Sequence, residues 1–132
     1  MSEKPYGVEL AGYKIERAVE ELDTAKLLLE NGKWRAANNR AYYSIYYAIT
    51  AVICLEPIAF HKHKDTLAYF NKNYVHTEKF ERTLGRRISK AEKIRHASDY
   101  DEFYIASKEE TVEQINTAEL VISEVRKFIK IK

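Results

Sequence analysis

The chain has 132 residues, of which 45% are hydrophobic and 32% charged, with a formal net charge of +2. That size and mixture suit one folded domain and exclude a disordered chain, and so small a net charge does not by itself imply a polyanion partner. Only 4 Gly and 2 Pro are present, which excludes a β-sandwich needing a turn about every 8–12 residues and leaves long helices.

Residues 1–9 read as a loose lead-in with Pro5 and Gly7. A first helix is predicted from about Leu10 to Asn31, with Ala11, Ile15, Ala18, Leu22, Ala25 and Leu29 forming an apolar seam. Asn31 and Gly32 end it, because glycine readily takes the left-handed conformation of a helix C-cap.

A second helix is predicted from Trp34 to Leu55, with Pro57 marking its end. From Ala41 onward it is apolar or aromatic nearly all round. A helix apolar on every face is covered on every face. It is therefore either the central helix of a bundle or part of a subunit interface.

A short third helix is predicted from about Lys62 to Val75, with Leu67, Phe70 and Tyr74 facing in. A fourth is predicted from Glu78 to Ala97, on the stripe Phe80, Leu84, Ile88, Ala91 and Ile94. The acidic, aromatic segment Ser98–Ala106 reads as a connection held down by Tyr100, Phe103 and Tyr104. The last helix begins at Ser107, with Glu110 three residues on in a capping-box pattern. Its seam is Val112, Ile115, Ala118, Ile122, Val125 and Ile129. No repeat or linker divides residues 1–132, so the expectation is one all-α, up-and-down antiparallel bundle of four long helices and one short one.

The lone Cys54 leaves no intrachain disulfide and no thiolate zinc cage, which fits a reducing, cytoplasmic setting. No apolar run reaches the roughly 18 residues a membrane span needs, and none follows a basic N-terminus. The expectation is a chain without membrane contact.

Three constellations could carry chemistry. Tyr42, Tyr43, Tyr46 and Tyr47 form two i,i+4 pairs on the second helix, with Arg40 one turn before Tyr43. They read either as core or as an aromatic groove that stacks a base and binds phosphate. Lys79, Arg82, Arg86, Lys90 and Lys93 form a basic stripe on the fourth helix. It is either a solvated face, offset by the acidic segment that follows, or a footprint for RNA or an acidic partner. His61, His63 and Asp65 look superficially like metal ligands, but two imidazoles at i,i+2 do not share a helix face. No metal or cofactor is expected, and His63 reads as a helix-entry residue. No phosphate loop or nucleophile elbow is present.

The run Asn39-Arg40-Ala41-Tyr42-Tyr43-Ser44-Ile45-Tyr46-Tyr47-Ala48, the His63-Lys64 opening of the third helix, and Arg95-His96-Ala97-Ser98-Asp99-Tyr100-Asp101 occur in that order. This arrangement resembles the HEPN domain family, in particular its small prokaryotic members. The resemblance covers residues ~10–130. It implies a homodimeric helical bundle, often a ribonuclease toxin paired with a small nucleotidyltransferase, whose catalysis is attributed to an Arg and a His four to six intervening residues later. Such a His would exchange a proton with a ribose hydroxyl or leaving oxygen while the Arg steadies phosphate charge. In this chain that spacing from Arg95 reaches Tyr100, Asp101 and Glu102 instead of a histidine.

The resulting expectation is a homodimer that binds a nucleotide, RNA or a nucleotidyltransferase, with Arg40, Tyr43, Tyr47, Arg95, Asp99 and Tyr100 lining the site. One alternative is a metal-independent ribonuclease using a divergent set drawn from Arg95, His96 and Tyr100. Another is a structural interaction module that docks through the tyrosine-rich helix.

Overall fold

The computed structural model describes residues 7–58, 60 and 62–130. His61, weighed above as a metal ligand, lies outside them. Five helices follow one another: α1 (Val8–Glu30), α2 (Trp34–Ile53), α3 (His63–Phe70), α4 (Arg82–Tyr100) and α5 (Lys108–Ile129). A π-helical turn, Asn71–Val75, extends α3.

Polar contacts between the helices give their directions. Glu21 and Ala18 of α1 meet Arg40 and Ser44 of α2, so one index rises as the other falls. Arg35 and Tyr43 of α2 meet Ser98 and Arg95 of α4 in the same sense. Arg87 and Lys90 of α4 meet Thr117 and Glu113 of α5. Each of these three pairs is antiparallel, and the four long helices form the expected bundle.

α2 is the central helix. It packs against α1, α5, α4 and α3, which accounts for its nearly continuous apolar and aromatic surface. Ala41, Ile45, Ala48, Ile49 and Val52 are fully buried. Four alanines of α2 at zero exposure, with Ala11, Ala18 and Ala25 opposite, let the α1 and α2 backbones approach closely. Ser44 sits in this seam and donates to the Ala18 carbonyl at 2.7 Å, so its hydroxyl is not left unpaired.

α1 starts at Val8 and ends at Glu30, α2 ends at Ile53 and α3 starts at His63, each within two residues of the sequence expectation, while both ends of α4 shift further. α4 starts at Arg82 rather than Glu78, because Glu78 adopts a left-handed conformation with φ 63°. The Phe80 amide then donates to the Tyr74 carbonyl at 3.0 Å, folding this stretch into a turn. α4 also continues three residues past Ala97, to Tyr100, into a stretch expected to be connection. There the Arg35 guanidinium donates to the Ser98 carbonyl and holds the last turn against α2. Of the three aromatics expected to tie down the connection, Tyr104 does so by donating to the Glu110 carboxylate. Tyr100 and Phe103 are 71% and 89% exposed.

α5 begins as expected, with Ser107 Oγ accepting from the Glu110 amide at 3.1 Å. The other half of the capping box is replaced by the Tyr104–Glu110 bond. Among the described residues no helix is long and apolar enough to cross a membrane.

Candidate functional site

α2, the start of α3 and the C-terminal half of α4 converge on one aromatic cluster. The residues that build it are Tyr42, Tyr43 and Tyr46 of α2, His63 of α3, and Arg95 of α4. The Arg95 guanidinium carbon lies 5.4 Å from the Tyr42 ring centre and 5.9 Å from that of Tyr43. Its Nη2 donates to the Tyr43 hydroxyl at 3.3 Å. A guanidinium over π-faces is held electrostatically while part of its edge remains available.

Asp99, one turn on, places a carboxylate oxygen 3.2 Å from Arg95 Nε. The pair is close enough for Coulomb attraction, but the Nε–H is not aimed at that oxygen and finds no hydrogen-bond partner among the described residues. Asp99 therefore steadies Arg95 by charge at the buried Nε side.

His63 is the residue the sequence reading left out of the site. Its ring lies 3.9 Å from that of Tyr46 with planes 28° apart, and meets Tyr43 edge-on at 5.5 Å. Burial, and secondarily the charge of Arg95, holds its imidazole below the ordinary range. The His63 ring also lies 6.1 Å from that of Tyr42, so imidazole and guanidinium both border the Tyr42 and Tyr43 rings. Burial, then Glu92, pushes the Tyr42 phenol above its ordinary value, so it stays protonated. The available sequence signal was His63-Lys64 at the head of α3, which contact-free periodicity assigns to helix entry.

Other expected site residues have further partners. Arg40 stacks on Tyr43 at 4.9 Å, but its Nη1 donates to both oxygens of Glu21, at 2.8 and 3.2 Å, and binds α2 to α1. The Tyr47 hydroxyl accepts from Arg17 at 2.9 Å, on the α1 side. Tyr100 does not join Arg95. Five residues later on a helix it points some 140° away, and its ring lies 4.7 Å from that of His96.

The basic stripe is divided. The Lys90 ammonium lies 2.8 Å from Glu113, and Lys79 stands over the Tyr74 ring at 5.1 Å. Arg82, Arg86 and Lys93 line an open groove together with Lys90. Among the described residues no group of three His, Cys, Asp or Glu side chains is placed to hold a metal.

Comparison with known proteins finds a family and relatives for most of the chain. A family model described as HEPN domain matches residues 11–128. A protein of Thermotoga maritima named UPF0332 protein is 35% identical over 130 residues, covering 98% of this chain and 96% of its own. A Methanocaldococcus jannaschii protein named as a "putative toxin" is 32% identical over 116 residues, covering 88% of this chain and 86% of its own. A second one from that organism, similarly named, is 26% identical over 115 residues, covering 87% and 78%.

Proposed function

This chain belongs to the HEPN domain family, and from that premise we propose that it binds RNA or a nucleotide at the Arg95, Tyr43 and His63 cluster, as the toxin-like member of a two-protein system. The observation that carries the reading is the placement of Arg95. Its guanidinium is held by two aromatic faces and the Tyr43 hydroxyl, with the Asp99 carboxylate beside Nε. Such a group suits a phosphate oxygen, since guanidinium donors match phosphate geometry. The neighbouring tyrosine and histidine rings suit a base.

Isothermal titration with AMP, ATP and short RNA tests this. Wild type should bind, and Arg95→Ala should weaken binding at least tenfold, the usual loss when a charge-assisted hydrogen bond is removed. Equal affinity in the two proteins contradicts the reading.

The placement of His63 favours a second reading, a metal-independent ribonuclease. A neutral His63 would accept the proton of a ribose 2′-hydroxyl as that oxygen attacks phosphorus. The 5′-oxygen would leave with a proton from water, giving a 2′,3′-cyclic phosphate, while Arg95 offsets charge on the non-bridging oxygens. The check is a cyclic phosphate product that disappears in both His63→Ala and Arg95→Ala.

A homodimer and a nucleotidyltransferase partner accompany this proposal. Phe103 and Ile105, 89% and 86% exposed, supply apolar surface for such an assembly. Light scattering that finds only monomer, with no change on adding a nucleotidyltransferase, counts against both.

A further inference from the structure

One face of α4 is unused by the bundle. Arg82, Arg86, Ser89, Lys93, His96 and Tyr100 follow one another at spacings of four and three, and all six are exposed. They therefore form one continuous strip along the helix. Beside its N-terminal half runs an open groove of about 960 Å³, with His76 on the wall opposite the arginines.

The groove exists because α4 lies close to the π-helical turn. A Cβ on Gly85 would stand 2.7 Å from Val75 Cγ1, so the absence of a side chain permits that approach.

The charges of the strip are not spent within the fold. Among the described residues Arg82, Arg86 and Lys93 make no ion pair. Lys90, which lines the same groove, and Arg87 are engaged with Glu113 and Thr117 of α5. Glu92 and Lys64 line an adjoining groove that shares Gly85 and Ser89 with the first. At the C-terminal end the strip turns aromatic, with the His96 and Tyr100 rings 4.7 Å apart and Tyr100 71% exposed.

We propose that this strip binds single-stranded RNA. The backbone phosphates run along Arg82, Arg86 and Lys93, and a base stacks on the His96–Tyr100 pair. A cationic groove leading to an aromatic platform is the arrangement that holds single strands with little sequence preference. An acidic peptide would use the cations but not the rings, so the aromatic end favours nucleic acid. The inference rests on the reading of the chain as an RNA binder, but uses a surface separate from Arg95, which faces α2.

The test is fluorescence anisotropy of the full chain with a labelled uridine oligonucleotide about twelve nucleotides long, at several salt concentrations, beside calorimetry with AMP. Wild type should bind the oligonucleotide with a salt-dependent affinity. The triple variant R82A/R86A/K93A should bind at least tenfold more weakly, with a log–log salt slope smaller by about 2. Tyr100→Ala should cost roughly tenfold, and R82K/R86K should retain binding. AMP affinity should stay unchanged in all of them, whereas Arg95→Ala should lose AMP. The strip proposal is overturned by a wild type that ignores the oligonucleotide, by a folded triple variant that binds it like wild type, or by a poly-glutamate peptide that binds as tightly as RNA. If circular dichroism shows the triple variant unfolded, Lys93→Ala and Tyr100→Ala decide singly. Intact AMP binding beside failure of the strip leaves the Arg95 reading standing.

Discussion

His63 at the start of α3 lies against Tyr46 of α2, with ring centres 3.9 Å apart and planes 28° from parallel. This contact brings a histidine to the aromatic cluster that also holds Arg95, from a part of the chain 32 positions earlier. A histidine thus borders the cluster although none follows Arg95 at the expected spacing.

That environment gives His63 a titration signature. Burial and the charge of Arg95 favour its neutral form, so its folded pKa lies below the 6.5 of an ordinary imidazole. The associated stability is present above pH ~6.5 and is lost as pH falls through the folded value. Histidine NMR should show one imidazole titrating low, and Arg95→Ala should raise it towards 6.5. An unchanged His63 titration in that variant contradicts the coupling.

Arg40 should matter to the fold more than to a ligand. Its guanidinium is paired with Glu21, with the Arg40 side chain 38% exposed, so solvent screening keeps the pair below about 1 kcal/mol. Arg40→Ala should lower the unfolding free energy by less than about 1 kcal/mol and leave nucleotide affinity within a factor of two or so. Chemical denaturation and calorimetry check the two halves separately.

Glu56 anchors the connection that leads to His63. Its carboxylate accepts from Tyr69 at 2.8 Å and also from Tyr74. Tyr74→Phe should cost about 1 kcal/mol, the usual net worth of one hydrogen bond. Glu56→Ala should cost more, because two phenols lose their acceptor. Burial, and next the bond to Glu56, raises the Tyr74 pKa in the folded state. Its contribution is full below pH ~10 and is lost as pH rises further. Alkaline unfolding of wild type should therefore be steeper than that of Tyr74→Phe.

Gly85→Ala sets two effects against each other. Alanine gains about 1 kcal/mol of helix propensity. Its Cβ, however, would stand 2.7 Å from Val75 Cγ1, and Val75 is only 4% exposed. Relief requires α4 to move from the π-helical turn, at about 1–3 kcal/mol. The melting temperature should fall by several degrees, and an unchanged or higher value contradicts the close approach.

The bundle was legible because its seams are regular. Ala11 to Ala25 and Leu84 to Ile94 are buried at the positions their spacing implies. The boundaries of α4 were not, since Glu78 takes a left-handed turn that its residue type does not announce, and the last turn is held by Arg35 from another helix. The site was half legible. Arg95, Tyr43 and Asp99 stand together, as their α2 and α4 registers imply. The involvement of His63 depends on how α3 docks on α2, which no local periodicity encodes. Arg40 and Tyr47 also bind Glu21 and Arg17 of α1, partners that only the tertiary fold brings near.

The central claim is that Arg95, Tyr43 and His63 form one anion- and base-binding site. Its most direct test is an NMR titration of isotopically labelled protein with AMP and with a short RNA. The account predicts that AMP perturbs the Arg95 guanidinium, the His63 imidazole and the α2 amides from Tyr42 to Tyr46 together, with one common affinity. No perturbation with either ligand, or shifts that leave Arg95 and His63 unmoved, would contradict it.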